Sequence, residues 1–219
     1  MNYDVVEYAN LANEEGRDNF KIEHTEIYGL NKAMIASGNP MRTEMSDNTR
    51  EPSTKDLSRS IALGTTKSGE GHDQYLTGII VQFDIYAPLY MWKEIQRYHF
   101  LDFISSQSTM HKLTKFNVAS KCNPYVDDEI LERYQFLLDE YNNLPEDTLQ
   151  AVKTNKWKTL VASLPSGFIL GATLTTNYRQ LKTMYQQRKN HKLIEWHWFC
   201  EWFEKLPRFL ELCFKKEED

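Results

Sequence analysis

Hydrophobic and polar positions alternate most cleanly over residues 77–87, where Ile79, Val81, Phe83 and Ile85 fall on one side and Ile80, Gln82, Asp84 and Tyr86 on the other. A period of two built from β-branched and aromatic residues predicts a strand. Pro88 then suits the first turn of a helix, where its missing N–H costs no hydrogen bond. Leu89, Trp92, Ile95 and His99 keep helical spacing to about Tyr98, and residues 100–108 read as a connection ending in small polar side chains. Val126-Asp127-Asp128 supplies cap residues for a second helix with an apolar stripe of Ile130, Tyr134, Leu137, Leu138 and Tyr141. Pro145 begins a shorter helical piece. Residues 157–164 read as a second strand, stopped by Pro165-Ser166-Gly167. Two helices follow, over 175–188 and 190–206, with a break near Lys189-Asn190. Leu193, Trp196, Cys200 and Phe203 share one face of the second. The aromatic density of Trp196, Trp198, Phe199, Trp202 and Phe203 predicts a packing helix at a subunit contact.

Ahead of the first strand the chain is polar and punctuated. Ser37-Gly38-Asn39-Pro40 is a turn signal, and residues 41–55 read as a loop with at most one short helix. Residues 65–71 carry Gly69 and Gly71 and are expected to move or to close over a ligand. The order of elements predicts an α/β protein, a mixed sheet flanked by helices, with residues 1–219 as one domain. That length is enough for a substantial core. Hydrophobic residues make up 41% and aromatic residues 13%, which excludes a disordered chain. A net charge of -5 argues against general nucleic-acid coating. No apolar run approaches the roughly 18 to 20 residues of a membrane span. Met1-Asn2-Tyr3-Asp4 lacks the order of a signal peptide, so a soluble, cytoplasmic protein is expected.

Several catalytic signatures are absent: there is no GxGxxG, P-loop, HExxH or GxSxG. The scattered histidines predict no metal site. Cys122, Cys200 and Cys213 contain no CxxC and predict neither a disulfide framework nor a structural zinc site. Cys122 precedes Asn123-Pro124 in a loop, but no base stands near it in sequence, so it is not expected to be a nucleophile; Cys200 and Cys213 fall on apolar helix faces. Two segments concentrate polar chemistry. In the first, strand and helix bring Arg97 and His99 toward Ser105-Ser106-Gln107-Ser108, a loop able to offer N–H groups and hydroxyls to a phosphate. In the second, Asn177-Tyr178-Arg179 leads along a helix to Arg188 and His191. Spacing alone also accommodates ordinary solvated helix faces in both.

Taken in order, these pieces resemble the flavin-dependent thymidylate synthase family from about Gly71 to Glu204. Gly71-His72-Asp73 is similar to the family's Gly-His-Glu turn, and residues 77–88 to its central strand ending in Ala-Pro. Arg97-Tyr98-His99 stands where the signature Arg-His-Arg occurs. Ser105-Ser106-Gln107-Ser108 resembles the closing Asn-Glu-Gln-Ser, with one extra loop residue. Leu164-Pro165 precedes Asn177, and Asn177-Tyr178-Arg179 with Arg188 keeps the Asn-x-Arg-x8-Arg pattern. His191 to Glu195 is similar to the following His-Ala-Gln-x-Glu, one residue closer.

The resemblance implies an FAD-binding homotetramer with active sites at subunit interfaces. It would use NADPH to reduce FAD and methylenetetrahydrofolate as one-carbon donor, converting deoxyuridine monophosphate to thymidylate without a cysteine nucleophile. It implies that Arg97, His99, Asn177 and Gln74 contact FAD, and that Glu94, Gln107, Ser108 and Arg188 contact the pyrimidine nucleotide. Arg188 would stabilise charge on the ring and Ser108 would serve as a hydrogen-bonding group, these two forming the catalytic pair. The chain departs from the family at Tyr98 and His99, at Ser105 or Ser106 in place of the loop Glu, and at Thr183 in place of an Asn. Met110 and Val161 stand where phosphate-binding arginines are expected. Two lost charge-assisted hydrogen bonds cost about 3 to 6 kcal/mol, on the order of a hundredfold to ten-thousandfold in affinity. Lys158, His111 and Lys112 are the cations available to compensate. The departures leave two alternatives open: action on another pyrimidine nucleotide, or a non-catalytic nucleotide-binding or regulatory protein.

Overall fold

The computed structural model describes residues 6–8, 20–45 and 50–215. The opening Met1-Asn2-Tyr3-Asp4, four residues (46–49) of the 41–55 loop and the last four residues of the chain lie outside them. In order, the elements are β1 (Val6–Tyr8), β2 (Lys21–Tyr28), α1 (Leu30–Ala36), α2 (Thr54–Gly64), β3 (Ile80–Pro88), α3 (Leu89–Ile95), β4 (Asp102–Ser106), α4 (Thr109–Lys112), α5 (Val118–Lys121), α6 (Asp128–Asn142), α7 (Gln150–Ser163), β5 (Ile169–Asn177), α8 (Tyr178–Arg188), α9 (Ile194–Lys205) and α10 (Phe209–Cys213). The strands form one sheet in the order β1-β2-β3-β5-β4, and each described pair is antiparallel. Helices flank it, giving the expected α/β class.

The alternation in β3 does what its period requires. Val81, Phe83, Ile85 and Ala87 are buried beneath helices, while Ile80, Gln82, Asp84 and Tyr86 are half-buried on the other face. In β2 a register shift between Glu23 and Glu26, with His24 at φ 49, keeps Ile22, Thr25 and Ile27 on the buried side. The aromatic helix α9 packs inside its own chain rather than needing a neighbouring subunit. The Trp202 and Phe199 rings lie 4.6 and 5.9 Å from Phe83, and Trp196 and Phe203 are fully buried.

A smaller core of Leu113, Val118, Tyr134, Leu138, Leu160 and Phe168 lies among the helices from α4 to α7. It meets the sheet where Leu89 N–H donates to Phe168 C=O at 3.0 Å.

Several expectations are corrected. The 100–108 connection contains β4, a sheet-edge strand whose side chains are all exposed, so it carries no alternation to read. Residues 157–163 belong to α7 and Leu164 caps its end, so no strand forms there; only Leu160 of that helix is buried. The strand missed in their place is β5, which runs to Asn177 and delays α8 to Tyr178. Residues 77 and 78 close a 3-10 turn, His72–Gly78, before β3 begins. Pro145 opens a turn, and the helix starts at Gln150. No described helix is long and apolar enough to cross a membrane.

Candidate functional site

The end of β5 and the start of α8 are joined at Asn177, which caps the helix by accepting the Gln180 N–H at 3.0 Å through Oδ1. Its amide nitrogen has no partner among the described residues. Across from it, Gly71 at φ 83 turns the chain into the 72–78 segment, which places Asp73 and Gln74 against α8. Asp73 is buried and holds two cations. Arg179 Nε donates to Oδ1 at 2.9 Å, and Lys182 Nζ to Oδ2 at 2.9 Å. Lys182, 1% exposed, also donates to the carbonyls of Gly64 and Thr66 at 2.8 and 2.7 Å. Two cations around one carboxylate leave a net positive charge. Lys182 cannot reach a ligand, so the accessible part of that charge is the Arg179 guanidinium, with a further bond to Gln74 Oε1 at 2.7 Å.

Asp73, Gln74, Asn177 and Arg179 line a cleft of about 490 Å³ that also includes Gly69, Phe100 and Thr183. Gln74 and Thr77 are shared with an adjoining, largely apolar cavity of about 940 Å³ between α1, α2 and the 72–78 turn. Phe100 sits at φ 61, a left-handed conformation uncommon for a bulky residue. It is pinned by the Thr176 hydroxyl donating to its carbonyl at 2.7 Å. The cleft presents the Asn177 and Gln74 amide nitrogens and the Arg179 guanidinium, a donor set that suits an acceptor-rich ligand.

A second cluster forms at the far end of α8. Arg188 donates to Glu94 Oε2 at 2.8 Å and to the Tyr98 hydroxyl at 2.7 Å. Its guanidinium lies 4.7 Å from the Trp196 ring centroid. Trp196 Nε1 and His191 Nε2 approach the same Glu94 oxygen at 3.0 and 3.3 Å. Gln107 and Ser108 lie elsewhere, beside Gly171 near the other end of β5. Gln107 exchanges two hydrogen bonds with Gly171, at 2.9 and 3.0 Å. A Cβ on Gly171 would meet the Tyr86 ring at 2.7 Å, so only glycine allows this approach. Ser108 caps α4, accepting the His111 N–H at 3.2 Å.

The structure thus brings Gln74 together with Asn177, Glu94 with Arg188, and Gln107 with Ser108, and it sets the first and last of these pairs at opposite ends of β5. From Gly171 to Asn177 is six residues of strand, about 20 Å. Arg97 and His99 are exposed in the turn after α3, without a side-chain partner among the described residues. Of the departures from the family pattern, Thr183 lines the cleft, Met110 is exposed on α4, and Val161 packs against the smaller core. His111 and Lys112 stand within one turn of Ser108, and Lys158 is exposed on α7. Burial pushes the Cys122 thiol up to about 11, which leaves it protonated and unreactive at neutral pH. Among the described residues no group of three His, Cys, Asp or Glu side chains is arranged to hold a metal ion.

Sequence reasoning did not find Asp73 and Lys182 as a buried pair. No spacing in the sequence marks the pair, because its two members stand 109 positions apart.

An antiparallel sheet with its helices, and a donor-lined cleft where a strand turns into a helix, define an α/β fold with a candidate site at the strand–helix junction. Among the solved structures that share that fold are two of flavin-dependent thymidylate synthase ThyX from Helicobacter pylori with FAD and dUMP. One has 17% identity and a TM-score of 0.63, covering 90% of this chain and 98% of that one. The other, at 2.31 Å resolution, has 16% identity and a TM-score of 0.62, covering 90% and 97%. The chain therefore has the flavin-dependent thymidylate synthase fold. No protein-family model and no curated protein matches its sequence.

Proposed function

We propose that this chain is a flavin-dependent thymidylate synthase-type methyltransferase of dTMP biosynthesis. It would use FAD, NADPH and methylenetetrahydrofolate to methylate deoxyuridine monophosphate, as a single 219-residue domain acting in the cytoplasm. The observation that carries this reading is the donor-rich cleft at Gln74, Asn177 and Arg179, in a fold whose solved neighbours hold FAD and dUMP.

FAD fits that cleft chemically. Its ring carbonyls and phosphates are acceptors, and the site offers two amide nitrogens and a guanidinium backed by a buried carboxylate. The adjoining apolar cavity gives room for the rest of a large cofactor. When bound, FAD would supply the hydride relay from NADPH. Asn177 and Gln74 would orient its ring edge and Arg179 would hold its negative charge.

Arg188 would lie against the pyrimidine beside Glu94, where a fixed cation stabilises charge developing on the ring. Gln107 and Ser108 lie about 20 Å along the sheet from Asn177, so they would complete the cofactor cleft of a neighbouring copy, as would Arg97 and His99. A homotetramer supplies such copies. The exposed edge strand β4, with Phe103 and Ile104 at 38% and 53% exposure, offers a surface for such assembly.

A second reading is favoured by Met110 and Val161. An exposed thioether and a core-packed valine leave no cation at either position. On that reading the chain takes another pyrimidine nucleotide, or binds nucleotide without catalysis. Absorbance at the flavin bands after incubation with FAD and gel filtration tests the cofactor, and the elution volume tests the tetramer. Labelled methylenetetrahydrofolate yielding thymidylate supports the first reading. Thermal stabilisation by a different nucleotide, without thymidylate, supports the second.

A further inference from the structure

The Tyr98 hydroxyl stands between consecutive residues of α8. It donates to Gln187 Oε1 at 3.1 Å and accepts from Arg188 Nε at 2.7 Å. With its proton committed to Gln187, the oxygen presents a lone pair to the guanidinium. The Tyr98 ring contributes as well, with the Arg188 guanidinium carbon 5.5 Å from its centroid and the Trp196 ring packed edge-on at 5.9 Å. Glu94 holds Arg188 NH1, leaving the NH2 group as the guanidinium nitrogen with no partner among the described residues. An arginine side chain otherwise samples many rotamers, and fixing it before a ligand arrives removes that cost from binding.

We propose that Tyr98 is a positioning residue for Arg188, presetting its guanidinium for an acceptor-bearing pyrimidine ring. This rests on the reading of Arg188 as a pyrimidine contact. Tyr98 itself touches no ligand in this account; it acts through the arginine.

The test uses full-length wild type, Tyr98→Phe and Gln187→Leu, each saturated with FAD. Calorimetry measures deoxyuridine monophosphate affinity, and flavin fluorescence measures FAD affinity. Tyr98→Phe keeps the ring and loses only the hydroxyl, so the expected result is about tenfold weaker nucleotide binding with FAD affinity unchanged. Gln187→Leu keeps the hydroxyl but frees its proton, and a smaller loss in the same direction is expected. Lowered affinity for both ligands would indicate a general structural role and overturn the proposal. Equal nucleotide affinity in wild type and Tyr98→Phe overturns it while leaving the Arg188 site intact. A wild type that binds FAD but not the nucleotide removes the Arg188 reading and this proposal together.

Discussion

The two hydrophobic cores divide the candidate site between them. The larger one lies between the sheet and α8, α9 and α10, is dense in aromatic rings, and backs the cleft at Gln74, Asn177 and Arg179. The smaller one has six buried residues among the α4–α7 helices and supports the region carrying Ser108, Met110 and Val161. On the cleft side, the donor groups are anchored by a buried Asp73–Lys182 pair with satisfied bonds. On the smaller side, Ser108 sits on a four-residue helix and the expected phosphate cations are missing. The cleft side is therefore the better anchored of the two, and on the proposed reading the side that would face the nucleotide is where this chain departs from the family pattern.

The largest test of that contrast is Asp73→Asn. It strands Lys182 as a buried charge without its carboxylate, and a loss of about 3–5 kcal/mol in denaturant unfolding is expected. A loss below about 1 kcal/mol would mean that the Asp73–Lys182 pair anchors the cleft no better than an exposed ion pair would.

Phe199→Ala and Leu160→Ala compare the cores directly. The first is expected to cost about 3–5 kcal/mol and the second about 2–5 kcal/mol. Hydrogen exchange should report opening of the whole sheet for Phe199→Ala, but only of α6 and α7 for Leu160→Ala. Matching exchange patterns would show one core behaving as a unit.

Asp56 supplies a pH test beside the larger cavity. The Arg50 guanidinium above all, then Arg59 and Ser53, hold its carboxyl well below the usual range against the opposing effect of burial. A depressed pKa stabilises the fold above the unfolded value of about 4 and loses that contribution as pH falls. Asp56→Asn should cost about 1.5–3 kcal/mol at pH 7. The gap from wild type should narrow below about pH 4, as read from unfolding curves at each pH. A gap constant with pH would refute the charge-based explanation.

The smallest expected effect is at α4, beside the smaller core. Ser108→Ala removes a cap worth about 1 kcal/mol, seen as a small drop in Tm with no effect on FAD affinity.

Much of this architecture is legible in residue order. Alternation locates β3, Asp127 caps α6 as its side chain allows, and the break at Lys189-Asn190 separates α8 from α9. β4 is hidden because an exposed edge strand has no buried face to impose a period. β5 is hidden by Gly171 and a run of threonines, and α7 imitates a strand through the short apolar run Leu160-Val161-Ala162 shortly before Pro165. The site is legible at Asn177, Arg179 and Arg188, where motif spacing follows a single helix. It is not legible at Asp73 and Lys182, two charged residues 109 positions apart whose burial arises only from tertiary packing. Nor could spacing show that Ser108 and Asn177 occupy opposite ends of one strand's length.

The most direct test of the cofactor cleft is a flavin titration of wild-type protein and Arg179→Ala, followed by absorbance and fluorescence. Saturable FAD binding by the wild type, weakened about tenfold or more in the variant, is the predicted result. A wild type that takes up no flavin, or a variant that binds it equally well, would contradict the account.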